Sequence, residues 1–290
     1  MNFIILIFLG ITWGLSFSLG KISLLGGATA IGLTFWQSLI AGILLLTYVY
    51  LKHKKFHIPI YMFKHLIILS LLAVVIPNFI FYNTATHIDA GILSISVSLI
   101  PLFTYGFALF LKMDKFSFTR ITGLLIGFVA LLVLIVPENS LPDKTDVPWI
   151  LFSLISAVCY ALENIYIDKL NPTNFGPIRL ACALSILSAI ITFPISLITN
   201  QFFIPNILNL NILFAILGLG IITAGAYSIF VYLIGKAGSV FASQTGYLVT
   251  FFGILWGMIL LNEKHSYFVW ITVILIIFGI FLVKPRKIQF

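Results

Sequence analysis

The sequence predicts an all-α polytopic membrane protein whose ten transmembrane helices form two inverted five-helix repeats. Three observations predict this fold class: the composition, the alternation of apolar runs with short polar breaks, and a weak similarity between the two halves. Hydrophobic residues make up 61% of the 290 residues and charged residues only 8%, against about 45–50% and about 25% in ordinary soluble domains. So few charges cannot cover the surface of a soluble domain of this length, which excludes that class.

Ten apolar runs are long enough to cross a bilayer, which takes about 20 residues of helix. Strands of a membrane barrel would alternate polar and apolar residues in segments of about ten, whereas these runs are continuously apolar. The first run has no Lys or Arg ahead of it, so we interpret it as a span and not as a signal peptide. The predicted spans are 3–21, 30–51, 66–85, 90–111, 118–136, 149–167, 177–199, 211–234, 240–261 and 267–283.

The positions of the basic residues predict the orientation. With a cytoplasmic N-terminus, 13 of the 16 Lys and Arg residues fall on the cytoplasmic side, and the exceptions are Lys21, Lys144 and Lys264. Cytoplasmic loops are enriched in Lys and Arg in this way. We therefore expect a multi-pass protein of a bacterial inner membrane with both termini in the cytoplasm. The net charge of +8 then requires no nucleic-acid partner.

An internal repeat connects the two halves. Residues 110–117 resemble residues 259–266 at an offset of 149, and each segment places an acid and a Lys, Asp114-Lys115 and Glu263-Lys264, after an apolar run. Five spans per half is an odd number, so the second half must run inverted. We predict a first repeat at 1–137, an external linker at 138–148 and a second repeat at 149–290. Inverted repeats are typical of alternating-access carriers with a site near the membrane midplane.

Several motifs carry a family resemblance over essentially the whole chain. They are Thr12-Trp13-Gly14-Leu15-Ser16-Phe17 followed by Lys21, the segment from Ala85 to Pro101 leading to Asp114, Gly123 and Gly127, and the second copy from Ser239 through Glu263 to Gly279. In these features the chain resembles the EamA-like ten-helix branch of the drug/metabolite transporter superfamily. It departs from the family pattern at Gln37, where Arg is frequent, at Asp114, where Glu is usual, and at Thr250, where Pro is usual.

The resemblance implies a carrier and a location for its site. Members of the family move amino acids, related metabolites or drugs, often outward. The resemblance also implies a central cavity lined by helices 1, 3, 4, 6, 8 and 9. It does not name a cargo for this chain.

One acid lies well inside a predicted span. Glu163 is about five residues past the midpoint of 149–167, and Tyr160 shares its helix face. A carboxylate in a membrane is costly and usually faces a cavity or a partner. The alternative is a structural Glu that is hydrogen-bonded to a neighbouring helix.

Other polar groups lie inside otherwise apolar spans, and Asn78 directly follows Pro77, where the helix loses a backbone hydrogen bond. Such groups can bind a solute or make hydrogen bonds between helices. The predicted substrate-binding set is Trp13, Gln37, Asn78, Tyr82, Tyr160, Glu163, Asn164, Gln244 and Tyr247. A second, aromatic set could line a pocket for a planar or cationic cargo: Trp13, Trp36, Tyr105, Tyr227 and Trp256.

The leading functional hypothesis is a secondary transporter of small organic solutes, with amino acids or related metabolites as cargo and efflux favoured over uptake. The chain shows no ATP-binding motif, so protons or an exchanged solute would supply the energy, and no catalytic residue, cofactor or metal site is predicted. A multidrug or cationic-compound exporter of the same fold, a lipid-modifying membrane enzyme and a channel are the alternatives. The expected partners are the substrate and membrane lipid, and a homodimer is left open.

Overall fold

The computed structural model describes residues 2–53, 58–135, 146–170, 175–205 and 209–282. Ten helical spans lie in these segments, as the sequence predicts. They are α1 (Asn2–Leu25), α2 (Ala30–His53), α3 (Met62–Ala85), α4 (Ala90–Phe110), α5 (Phe118–Ile135), α6 (Asp146–Leu170), α7 (Pro177–Ile198), α8 (Leu210–Ala237), α9 (Ser239–Leu261) and α10 (Tyr267–Leu282).

Most of the observed helices are longer than the predicted apolar runs. α1 continues to Leu25 and includes Lys21, while α6 begins at Asp146 and ends at Leu170. Charged residues end an apolar run without ending a helix, because a long side chain at a helix end can reach polar surroundings. Residues 138–145 of the predicted linker lie outside the described part of the chain.

Eight of the ten helices are long and apolar enough to cross a membrane, and α5 and α10 carry shorter apolar stretches at 118–130 and 267–279. The protein is thus an integral membrane protein with many spans. Helices suit this environment because they satisfy their backbone hydrogen bonds internally.

Three spans depart from regular α-helix, α3 and α4 near their middles and α9 near its start. α3 has a π-helical turn at Leu71–Val75, directly before Pro77, and α4 has a 3₁₀ turn at Ser96–Leu99, directly before Pro101. Proline lacks an N–H and crowds the carbonyl four residues earlier, so the preceding turn must change its hydrogen bonding. α9 is interrupted at residues 243–244, between two helical segments. Irregular backbone at membrane depth is tolerated where it is enclosed by protein or lines a cavity.

The packing of the helices follows an approximate two-fold relation between the halves. α1 packs against α9 and α8, and its counterpart α6 packs against α4 and α3. The pairs α2–α7 and α5–α10, each made of one helix and its own counterpart, also pack closely. Such an exchange of contacts is expected when the two repeats are related by a half-turn.

The two repeats run in opposite directions. The Glu263 carboxylate, just after the last residue of α9, accepts hydrogen bonds from the backbone N–H groups of Ala90 and Gly91, which begin α4. α4 and α9 are therefore antiparallel. Asp114 follows the other end of α4, so Asp114 and Glu263 lie at opposite ends of the bundle, as the inverted repeat requires. We refer to these as the Lys21 end, which contains Glu263, and the Arg120 end, which contains Asp114.

The positive-inside count predicts that the Lys21 end faces the exterior. We expect Thr86→Cys, at an exposed site of that end, to react with a membrane-impermeant maleimide in intact cells. Lys115→Cys, exposed at the Arg120 end, should react only after the membrane is opened. Both variants are made with Cys159 and Cys182 replaced by Ala. Labelling in the reverse pattern would overturn the predicted orientation.

Candidate functional site

A central cavity of about 160 Å³ lies between the two halves. A single buried water needs only roughly 10–15 Å³ on this scale, so the cavity has room for a small solute. Its lining comes from α1, α3, α4, α6, α8 and α9, the helices that the family resemblance implies, and from Gln37 of α2. Parts of the interrupted segments contribute directly, with Val74 from the π turn, Val97 from the 3₁₀ turn and Ser243 from the break in α9.

The lining positions are related by the internal repeat, but their chemistry is not. In α1 and α6 an offset of 147 residues connects the cavity residues, and in the later helices the offset is 149. The related pairs are Trp13 and Tyr160, Ser16 and Glu163, Phe17 and Asn164, Asn78 and Tyr227, Phe81 and Phe230, and Val97 and Gly246. Among the described lining residues, the acidic group Glu163 therefore occurs in the second half and has no acidic counterpart in the first.

Aromatic contacts across the halves follow the same relation. Trp13 of α1 meets Phe230 of α8 with ring centroids 5.0 Å apart, and Tyr160 of α6 meets Phe81 of α3 at 5.9 Å. Phe17 also packs edge-to-face on Phe81 at 5.4 Å. Edge-to-face and tilted pairs at such distances are favourable. Aromatic side chains from both halves thus form part of the cavity wall.

Glu163 lies on the cavity wall in α6 and is 2% exposed. Its Oε1 accepts a hydrogen bond of 2.5 Å from the Tyr227 hydroxyl of α8. The structure therefore combines the two interpretations of Glu163, because the residue both bonds to a neighbouring helix and faces the cavity. Its role in binding remains a prediction.

The two asparagines of the lining differ in their partners. Asn164 donates through Nδ2 to Thr104 Oγ1 at 3.4 Å, whereas its buried Oδ1 has no hydrogen-bond partner among the described residues. Asn78 is half-buried, and none of the hydrogen bonds found in the described segments involves its side-chain amide. Both amides keep bonding capacity that a solute could use.

Gln37 and Tyr82 belong to a chain of hydrogen bonds along one side of the cavity. The Tyr82 hydroxyl donates to Gln37 Oε1, and Gln37 Nε2 donates to Thr223 Oγ1 at 2.7 Å. Thr223 in turn donates to the Leu219 carbonyl at 2.8 Å. This chain joins α2, α3 and α8, so these side chains have structural partners as well as positions on the cavity wall.

Two predicted site residues do not line the cavity, which corrects their placement. Tyr247 is fully buried and packs in a cluster with Ala130 and Ile276, with its hydroxyl against Gly127. It therefore faces α5 and α10. Gln244 is also fully buried, at the break in α9, outside the cavity lining. The α9 residues that do line the cavity are Ser243, Thr245, Gly246 and Val249.

Three members of the predicted aromatic set also lie elsewhere. Trp36 donates to the Phe203 carbonyl at 2.8 Å, Tyr105 to the Lys115 carbonyl at 2.9 Å and Trp256 to the Ile11 carbonyl at 3.1 Å. Each polar tip is thus satisfied by backbone. Trp13 and Tyr227 do line the cavity.

Some lining residues stand outside both predicted sets, among them Ser16, Phe17, Thr223 and Phe230. A signal for part of this group exists in the sequence. The 147-residue offset of α1 and α6 relates Ser16 to Glu163 and Phe17 to Asn164. Applying this offset to the predicted residues identifies these two, whereas Phe230 corresponds to Phe81, which is in neither set.

The Lys21 end contains a cluster that we call the Glu263 lock, formed by Lys21, Asp89, Glu263 and His265. Glu263 accepts from Ala90 N at 2.7 Å and Gly91 N at 2.9 Å. Lys21 Nζ donates to the Ile88 carbonyl at 2.8 Å, and it lies 3.3 Å from Asp89 Oδ1 and 3.7 Å from Glu263 Oε1. A carboxylate at a helix N-terminus is stabilised by the free N–H groups and the helix dipole. The lock therefore ties α1, α4 and the end of α9 together.

The Glu263 lock also resembles a metal site, because three potential ligand atoms lie within 4.8 Å of one another. They belong to Asp89, Glu263 and His265. The Lys21 ammonium already contacts both carboxylates. A second cation there would be repelled by Lys21, so the arrangement fits an ion-pair cluster better than a metal centre.

The Arg120 end has a counterpart of different chemistry. Asp168, near the end of α6, accepts from Ser239 N at 3.0 Å and Ser239 Oγ at 2.7 Å at the start of α9. The 147-residue offset relates Asp168 to Lys21. Asp114, the counterpart of Glu263, lies in the α4–α5 connection and pairs with Arg120 in the first turn of α5 at 2.6 Å. The Glu263 carboxylate thus caps the N-terminus of α4 at the Lys21 end of the bundle. The Asp168 carboxylate caps the N-terminus of α9 at the Arg120 end.

His265 makes the stability of the Lys21 end depend on pH. Burial lowers the pKa of His265 from its ordinary 6.5, although the facing Glu263 and Asp89 carboxylates oppose the shift. The folded protein therefore keeps His265 neutral where the unfolded chain takes up a proton, so stability falls as the pH drops below 6.5. We expect the melting temperature to fall more between pH 7.5 and 5.5 in the wild type than in His265→Gln. Equal falls in the two proteins would contradict this assignment.

Comparisons with known proteins agree with the geometry. The sequence model of the EamA-like transporter family matches residues 1–136 and 147–284 of this chain. A solved structure described as "Crystal structure of protein" superposes with a TM-score of 0.69 and 16% identity, covering 96% of this chain and 95% of that chain, which shows a shared fold. A search of curated proteins finds no match. With both five-helix repeats matched, this chain belongs to the EamA-like transporter family.

Proposed function

We propose that this protein is a secondary transporter of small organic solutes, with amino acids or related metabolites as cargo, that works by alternating access. The observation that carries the proposal is the central cavity, which both inverted halves line and which interrupted helices border. Carriers built from inverted repeats bind their substrates at such a position. The protein is then a carrier and not an enzyme.

Alternating access requires one end of the bundle to part while the other stays closed. At the Lys21 end the bonds of the Glu263 lock would have to break, and at the Arg120 end the bonds between Asp168 and Ser239 would. Each set joins a carboxylate to the backbone at the N-terminus of another helix. A proton gradient or an exchanged solute would drive the cycle. We place the protein in a bacterial inner membrane, with both termini cytoplasmic and net transport outward.

Solute counterflow in proteoliposomes tests the proposal. Vesicles preloaded with an unlabelled solute are diluted into a trace of the same solute carrying a label, across a panel of amino acids, nucleosides and polar amines. A carrier accumulates the label transiently above its equilibrium level. Simple equilibration would indicate a channel, and chemical conversion of the label would indicate an enzyme.

A matched pair of variants connects the exchange to the cavity. Ser16→Trp fills the cavity from α1, whereas Ile7→Trp places the same bulk on the exposed face of that helix, where Ile7 is 47% exposed. We expect the first variant to lose exchange and the second to retain it. Equal exchange by both variants would place the transport path elsewhere.

A further inference from the structure

One acidic side chain lies on the cavity wall. Among the lining residues that the structure describes, Glu163 is the one Asp, Glu, Lys, Arg or His. Lys21 and Arg120 pair with carboxylates at the two ends of the bundle, and no ion pair found in the described segments involves Glu163. A buried carboxylate without a counter-ion is unfavourable unless it is protonated or meets a cation. A cationic solute is therefore the ligand that this charge favours.

A hydrogen-bond acceptor without a donor lies on the residue that follows Glu163 in the cavity wall. The Tyr227 hydroxyl already donates to Glu163, and the buried Asn164 Oδ1, on the next residue of α6, has no donor in the part of the chain that the structure describes. A buried acceptor without a donor is costly. An alkylammonium group brings up to three N–H donors and a positive charge together. It supplies what these two neighbouring residues lack.

The rest of the lining favours an apolar body on that cation. The cavity that Glu163 faces has aromatic lining residues, Trp13, Phe17, Phe81 and Phe230. Tyr160 lies one turn from Glu163 on the same helix. Aromatic faces attract cations and pack against apolar groups. A small amine with an aromatic or bulky apolar body matches both properties.

A solute that also carries a carboxylate finds no basic partner here. The described lining offers neutral donors, such as the Asn78 amide, but no Lys, Arg or His. A second carboxylate would also share the cavity with Glu163, and like charges at short range repel. We propose that the Glu163 wall binds a protonated amine on an apolar body and disfavours its amino-acid and carboxylic-acid analogues. This inference rests on the proposed carrier function; within the class of small organic solutes it puts amines in place of amino acids as the cargo.

A matched series of three compounds tests the inference on the purified protein. Phenethylamine, phenylalanine and 3-phenylpropionate share one ring and a two-carbon chain, and they differ in carrying the ammonium, both charged groups, or the carboxylate. We expect calorimetry to show binding of phenethylamine at least tenfold tighter than that of phenylalanine, and no binding of 3-phenylpropionate. Equal or tighter binding of either carboxylate compound would overturn the inference.

Two variants locate the binding. Glu163→Gln should weaken phenethylamine binding at least tenfold, whereas Asp114→Asn, the same carboxylate-to-amide change at the Arg120 end, should leave it unchanged. Unchanged binding by Glu163→Gln would overturn the assignment of the ammonium to Glu163. If Glu163→Gln fails to fold, the wild-type series decides the matter alone.

Failure of this inference and failure of the carrier function give different results. Counterflow of amino acids without counterflow of amines would overturn the amine preference and leave the carrier function standing. Absence of counterflow for every solute of the panel, with phenethylamine binding intact and dependent on Glu163, would overturn the carrier function and keep the amine site.

Discussion

We expect Glu163→Gln to abolish concentrative, pH-dependent transport while the protein stays folded and inserted. The amide keeps the shape of the side chain, and its oxygen can still accept the hydrogen bond that Tyr227 donates. It can neither bind a proton nor hold the charge of an ammonium. A hydrogen bond to a charged group contributes about 1.5–3 kcal/mol. We therefore expect the affinity for an ammonium compound to fall at least about tenfold.

The measurement is solute accumulation in proteoliposomes under an imposed proton gradient, at several external pH values. Melting temperature and elution from a sizing column report whether the variant is folded. Asp114→Asn serves as the control, because Asp114 pairs with Arg120 at 2.6 Å and lies outside the cavity lining. A folded Glu163→Gln protein with an unchanged pH profile would make Glu163 structural, and so would a variant that fails to fold.

The second large effect is expected from Glu263→Gln. Glu263 is 5% exposed, accepts two backbone hydrogen bonds from α4 and lies 3.7 Å from the Lys21 ammonium. Glutamine fits the same space, but it offers one acceptor oxygen and no charge. Because hydrogen bonds to charged groups contribute about 1.5–3 kcal/mol each, we expect the free energy of unfolding to fall by roughly 2–3 kcal/mol.

Opening of the Lys21 end should accompany this loss of stability. Ser94 is fully buried in the packing of α4 on α9, where its side chain lies against Gly253. In a chain with Cys159 and Cys182 replaced by Ala, Ser94→Cys should react faster with a polar maleimide when Glu263→Gln is also present.

The matched control for that experiment is Asp114→Asn, a change in the repeat counterpart of Glu263. Its ion pair with Arg120 is local to the α4–α5 connection. It should therefore leave the reactivity of Ser94→Cys unchanged. Equal effects of the two changes on that reactivity would show that the Glu263 lock does not close the Lys21 end.

The two halves share a fold and differ in charge, which has a consequence for the transport cycle. Lys21 at one end corresponds to Asp168 at the other, and Ser16 on one cavity wall corresponds to Glu163 on the opposite wall. Inverted repeats let a carrier exchange two related conformations. Different chemistry at matched positions makes those conformations unequal in energy, and it leaves Glu163 as the one acidic or basic side chain among the described residues of the cavity wall.

The sequence by itself predicted the helices and their arrangement, for a local reason. An apolar run of about 20 residues is stable across a bilayer through its own transfer free energy and its own backbone hydrogen bonds. The ten spans and the inverted repeat therefore needed no knowledge of contacts, and the structure and the family match confirm them. Glu163 was also identifiable, because an acid inside an apolar run is unfavourable wherever it points.

Only the tertiary structure decided which face of each helix meets the cavity. In a soluble protein the polar stripe of a helix shows its outer face, but here lipid and protein interior are equally apolar, so the sequence carries little signal for rotation. Tyr247 and Tyr227 look alike in the sequence, yet one packs against Gly127 of α5 and the other donates to Glu163. The partners of Glu263 were also not predictable, because Ala90 and Gly91 lie 172 or more residues away in the sequence. Contacts of that range depend on how the helices pack, and packing is a property of the folded bundle.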